Sequence, residues 1–111
     1  MTLLAVGPLP KDALAAAAQF HAEVLPGVKE AVQATPAGQF ILVFTPADHT
    51  HRGWRLAAVQ GLAREYAPRR VNAVESDDDA AIAAAAAYLA GADGITGQLL
   101  PLDSAGAGKV V

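Results

Sequence analysis

The residues best equipped for chemistry lie in the run Thr45-Pro-Ala-Asp48-His49-Thr-His51-Arg52. A hydroxyl beside an imidazole can serve as a nucleophile–base or acid–base pair, so Thr45 with His49 or His51 is one candidate. Two histidines with Asp48 could instead hold a divalent metal. His49 and His51 stand two positions apart, which turns them to different sides of a helix and to the same side only in an extended segment. A solvated polar loop ahead of a helix is the preferred reading, and no metal site is assigned.

Other candidates resolve in the same direction. The run Ser76-Asp77-Asp78-Asp79 carries three carboxylates, which suits a divalent cation. It suits a helix start better, with Ser76 as N-cap, Asp79 reaching back as in a capping box, and negative charge at the positive end of the helix dipole. His21 falls on an apolar helical stripe and reads as a packed or interface histidine. Trp54 reads as a core or interface anchor, because no basic patch surrounds it to support base stacking. Gly106-Ala-Gly108 lacks the strand-to-helix context of a phosphate cradle and reads as part of a tail.

Composition bounds the rest. At 111 residues, 53% hydrophobic and 17% charged, the chain is expected to fold as one domain over residues 1–111, with 103–111 as a flexible tail. Aromatic residues make up only 5%, so close approach of helices rich in small residues is expected to supply the burial. A net charge of -3 and a pI near 5.4 argue against nucleic acid or an anionic membrane as partner. There is no cysteine, hence no disulfide framework or thiol nucleophile. The opening MTLLAVGPLP has no basic, signal-like region, and no apolar run reaches the ~18 residues of a membrane span, so a cytoplasmic location is expected.

These side chains must be positioned by an alternating series of elements. Thr2 to Val6 is a short apolar run, expected to be a buried strand. Asp12 can cap a helix reaching about Thr35, with Leu14, Ala17, Ala18, His21, Val24, Leu25, Val28 and Val32 at helical spacing. Pro26 inside that pattern is expected to kink or split the helix. QFILVFT, residues 39–45, is continuously apolar, as in a parallel strand covered on both faces. A second helix is expected over 50–66 with Trp54, Ala58, Gly61, Leu62 and Tyr66 on one side and Pro68 as its stop. Arg70 to Val74 reads as a strand, Ser76 to Ala90 as a helix with Gly91 at C′, and Gln98 to Leu102 as an edge strand tolerating Pro101. The order βαβαβαβ predicts an α/β fold: an open four-stranded parallel sheet with about three helices.

Two stretches then identify a resemblance. GLAREYAPRRVNAV resembles the end of the catalytic helix and the following strand of short-chain dehydrogenases/reductases. AAIAAAAAYLAGADGITGQLLPLDSA is similar to that family's last helix and strand, and VLPGVKEAVQATPAGQFILVFT is similar, more weakly, to an earlier helix and strand. The resemblance covers nearly the whole chain and corresponds to the C-terminal half of a typical member, so it implies a truncated Rossmann-like fold. In the family a Tyr acts as general acid/base, and a Lys four residues later lowers its pKa and holds the ribose. Counting back from Gly61-Leu62 places those positions on Arg52 and Leu56. Arginine stays protonated and leucine has no proton to give, so the relay is absent. Thr45 falls on the family's serine and keeps a hydroxyl, and the family's helix asparagine maps near Ala13.

The glycine-rich turn that receives the cofactor pyrophosphate does not occur in this sequence, so no cofactor is expected. By the family's strand order the first strand here becomes a sheet edge, and the last crossover departs from the right-handed rule. The family pairs subunits through helices corresponding to 12–35 and 50–66. These implications predict a non-catalytic assembly or accessory subunit. It would associate as a homodimer or higher oligomer through those helices or the first-strand edge, or pair with a catalytic relative. The alternative is a minimal or repurposed oxidoreductase using Thr45 with His49 or His51 and NAD(P) in a composite site.

Overall fold

A computed structural model describes residues 1–35 and 38–102. The elements are β1 (Thr2–Ala5), α1 (Ala13–Gln19), a π-helical turn (Phe20–Val24), α2 (Leu25–Ala34), β2 (Gln39–Phe44), a 3-10 turn (His49–His51), α3 (Arg52–Glu65), β3 (Arg70–Glu75), α4 (Asp79–Ala90) and β4 (Leu99–Pro101). The strands form one parallel sheet in the order β1-β2-β3-β4, as the alternating pattern implied. The expected tail at 103–111 lies outside the described residues.

Pro26 explains why the first helix is not uniform. It has no N–H to give the preceding turn, and its ring would collide with that turn's carbonyl. The chain widens by one residue just before it, so that Leu25 N–H bonds Phe20 O and Pro26 falls in the first turn of α2, where a donor is not needed. The same turn keeps the buried stripe in line. Ala16, Phe20, Val28 and Val32 are spaced by multiples of four, and each such step overshoots a regular turn by about 40°. The wider π turn winds less per residue and takes part of that drift back. The expected stripe is therefore corrected: Ala16 and Phe20 are buried, while Leu14 is 84% exposed and Ala18 and His21 face solvent.

β2 is covered on both faces, as its unbroken apolar sequence predicted. Phe40, Leu42 and Phe44 join Phe20, Val28, Val32, Val59 and Leu62 in the main core beneath α1 to α3. Ile41 on the opposite face packs with Val74, Ala85 and Leu89 beneath α4. The low aromatic content is concentrated here, since Phe20, Phe40 and Phe44 are all at most 1% exposed. Each such side chain contributes on the order of 2–3 kcal/mol of burial.

β1 differs from expectation. It is a strand, but Leu3 is 48% exposed and only Thr2 and Leu4 are partly covered. Leu3 pairs in register with Ile41 and so shares the α4 face, yet the apolar cluster beneath α4 draws on β2, β3 and β4 and holds no β1 residue. All three crossovers step across the sheet in one direction, and the third carries its helix on the face opposite the first two. Its hand is therefore opposite theirs, leaving β1 half bare.

The helix-start reading at 76–79 holds with its roles shifted. Asp78, not Ser76, is the N-cap, accepting from the amides of Ala80 and Ala81 at 2.9 and 3.3 Å. Ser76 is buried and accepts from the Asp78 amide at 3.0 Å. Gly91 is the C-cap, with φ -93°, so no left-handed residue closes this helix. The chain turns into β4 through Gly97 at φ +74°, where a side chain would also meet Ala63. Pro101 sits on the edge strand as expected. Gln98 and Leu102 bond β3, which turns the Pro101 nitrogen toward the open side where no donor is required.

Candidate functional site

A cleft of about 290 Å³ opens at the carboxyl ends of β1 and β2, between the loop after β1 and the start of α3. Lys11, Thr45, Asp48, His51 and Arg55 supply its polar lining, and Leu9, Pro10, Pro46 and Ala47 its apolar lining. Open α/β sheets place ligands at this end of their strands.

Asp48 is the N-cap of the 3-10 turn. Its Oδ1 accepts from the Thr50 amide at 3.0 Å and from the Thr50 hydroxyl. The Thr50 hydroxyl and amide hold the Asp48 carboxyl below the usual carboxylate range. His51 is only 3% exposed, and both ring nitrogens are engaged. Trp54 Nε1–H donates to His51 Nδ1 at 3.2 Å, so Nδ1 carries no proton. Nε2 therefore holds the ring proton and donates to the Lys11 carbonyl at 2.9 Å. Neither nitrogen is left to take a metal or a substrate proton. His51 instead pins the loop after β1 to the first turn of α3.

Arg55 is the residue that sequence reasoning missed. It is 2% exposed, with its guanidinium 4.6 Å from the Phe44 ring centre and 5.6 Å from that of Trp54. Nη1 donates to the Thr45 carbonyl at 2.9 Å and to Glu75 Oε2 at 2.7 Å. The side chain therefore ties α3 to the ends of β2 and β3. A signal for it existed, because Arg55, Val59, Leu62, Ala63 and Tyr66 form one helical stripe and all are buried. Of the stripe expected for α3, Leu62 and Tyr66 are buried, while Trp54, Ala58 and Gly61 are only partly covered.

The cleft brings Thr45, Asp48 and His51 together. It does not bring in His49 or Arg52, which are exposed and outside its lining. Leu56, at the position the resemblance gives to lysine, packs against the main core. Among the described residues no group of three histidines or carboxylates converges as metal ligands.

The motif residues beyond α3 do structural work. Asn72 of the VNAV stretch is 1% exposed. Its Nδ2 donates to the Ile95 carbonyl and its Oδ1 accepts from the Gln98 amide, both at 3.0 Å. Thr96 Oγ1 accepts from the Val71 amide at 3.0 Å. Together they stitch the segment before β4 onto β3.

The family described as short chain dehydrogenase-like protein matches residues 4–102 of the 111. No curated protein and no solved structure gives a match. That match runs from Leu4, within β1, to the residue after β4, and the chain belongs to this family.

Proposed function

We propose, with membership of the short-chain dehydrogenase-like family as the premise, that this chain is a non-catalytic, self-associating assembly or accessory subunit of the cytoplasm. The observation that carries the reading is the condition of α3. Where the resemblance gives this helix an acid/base pair, Arg52 faces solvent and Leu56 packs on the core. His51, the nearest substitute, has both nitrogens committed to Trp54 and Lys11. A proton relay needs a group that can both hold and release a proton toward substrate, and this arrangement supports none.

Two surfaces support association. Leu3 and Met1 stand 48% and 52% exposed on the free β1 flank. An open apolar strand edge is a liability that a partner relieves. On the other face, a groove of about 210 Å³ runs between α2 and α3, with Leu25, Ala57, Gly61 and Leu62 among its lining and the Lys29–Glu65 ion pair across it at 3.0 Å. Its small residues permit close helix approach. These are the helices that the resemblance gives to subunit pairing, in a homo-oligomer or with a catalytic relative.

Light scattering after size exclusion tests the reading. The expected mass is at least twice 11.3 kDa. A clean monomer at micromolar concentration overturns self-association. NAD(P)H-dependent turnover by the purified chain overturns the non-catalytic reading and favours the composite oxidoreductase site with Thr45.

A further inference from the structure

Among the described residues, Arg55 has an incomplete hydrogen-bond set. Nη1 makes both of the guanidinium's bonds, to Thr45 O and Glu75 Oε2. Nε is buried without a partner, and Nη2 bonds no described residue. Nη1 lies on the Cδ side of the guanidinium, so Nε–H and one Nη2–H form its other edge, two parallel donors in a plane. Two oxygens of a carboxylate fit such an edge as a fork. Of the nearby carboxylates, Glu75 accepts from Nη1 and Asp48 from Thr50. A buried cation with open donors is costly unless something completes it.

Arg55 forms part of the wall of the cleft at the strand ends. We propose that this cleft binds a small carboxylic acid, its carboxylate forked on the Nε/Nη2 edge of Arg55 and its carbon chain against Leu9, Pro10, Pro46 and Ala47. Three features select that class. The volume of about 290 Å³ sits at the lower end of small-molecule sites, room for a short acid and not for a dinucleotide. Asp48 lines the same cleft, which penalises a dianion such as phosphate more than a monoanion. Lys11 adds a second cation to the lining. The site uses neither Arg52 nor Leu56 and is independent of self-association.

Hexanoate is the probe, titrated into the ¹⁵N-labelled full chain while the Arg55 Nε–H resonance is followed. A saturable shift is expected, with hexanamide and inorganic phosphate at least tenfold weaker. Arg55→Lys keeps the charge and removes the fork, and is expected to weaken hexanoate at least tenfold. Ala47→Phe fills the exposed rim without touching the Arg55 bonds, and is expected to do the same should the lysine variant fail to fold. Absence of a saturable shift, equal binding of hexanamide, tighter binding of phosphate, or unchanged affinity in Ala47→Phe each overturns the proposal. The oligomer mass is read separately, so failure of one reading leaves the other standing.

Discussion

Replacing Glu75 by Gln isolates what the buried ion pair contributes. Arg55 is 2% exposed and its partner 13%, with Nη1 and Oε2 2.7 Å apart. At an effective dielectric near 20, unit charges about 4 Å apart attract by roughly 4 kcal/mol. Removing one partner of a buried pair costs about 3–5 kcal/mol, mainly because the other charge is stranded. Glutamine can still accept from Nη1, and water reaches Glu75, so a loss of about 2–3 kcal/mol is expected for Glu75→Gln. At roughly 4 °C per kcal/mol for a domain of this size, the melting temperature falls by about 10 °C. Arg55→Met removes the charge but keeps apolar volume against Phe44 and Trp54. The double variant is therefore expected to be no less stable than Glu75→Gln alone, a coupling at least as large as the loss from Arg55→Met alone. Urea denaturation of the four proteins, followed by circular dichroism, measures the cycle. Additive losses, or a Glu75→Gln loss below ~0.5 kcal/mol, would refute the claim that the two charges depend on each other.

Three further outcomes are expected. Asn72→Ala leaves the part-buried Ile95 carbonyl and Gln98 amide without their partner, at about 1–3 kcal/mol in all; hydrogen exchange is expected to rise first in β4 and the segment before it, and uniform loss of protection would contradict the local stitch. Gly61→Ala meets no atom within 4 Å in the protomer and removes a helix glycine, so the isolated chain gains about 0.5–1 kcal/mol in denaturation, while a drop in oligomer mass marks close helix packing at that position. Stability is expected to be level with pH through neutrality as far as these two groups are concerned. Thr50 depresses the Asp48 pKa, so that contribution is present above 3.8 and fades as pH falls through the lowered value. Glu65 raises the Lys29 pKa, so that contribution is full below 10.5 and fades as pH rises through the raised value. Asp48→Asn is expected to remove that contribution at neutral pH and to flatten the acid limb, and an acid limb of unchanged slope in that variant would contradict the assignment.

The sheet was legible because its pattern has few alternatives. QFILVFT is apolar without interruption, which only a doubly covered strand accommodates at that length, and Pro26 announced the break in the first helix. β1 was misjudged because burial depends on how far α4 reaches across the sheet, and no local pattern carries that distance. Arg55 was hidden for a different reason. A charged residue on a helix is by default solvated, and only the position of Val59 and Leu62 on the same stripe turns it inward. The capping roles of Ser76 and Asp78 differ by a choice among adjacent polar residues, each chemically able to cap, that tertiary packing settles. For the candidate site, sequence located the loop from Thr45 to Arg52 but not which of its side chains point together. That depends on the Lys11 carbonyl and Trp54 indole meeting His51 from elements distant in the chain.

The widened turn at Phe20–Val24 fixes the phase between two half-helices. Deleting one residue between Phe20 and Pro26 would shorten the step from Phe20 to Val28 to seven residues, two regular turns within about 20°, so the backbone could close into a regular α-helix with the two halves still in phase. Val28 and Val32 would stay on the sheet, but Pro26 would come to lie inside a continuous helix, where its ring meets the carbonyl of the preceding turn. The cost of such a deletion therefore falls on Pro26, and the deletion combined with Pro26→Ala is expected to be tolerated better than the deletion alone.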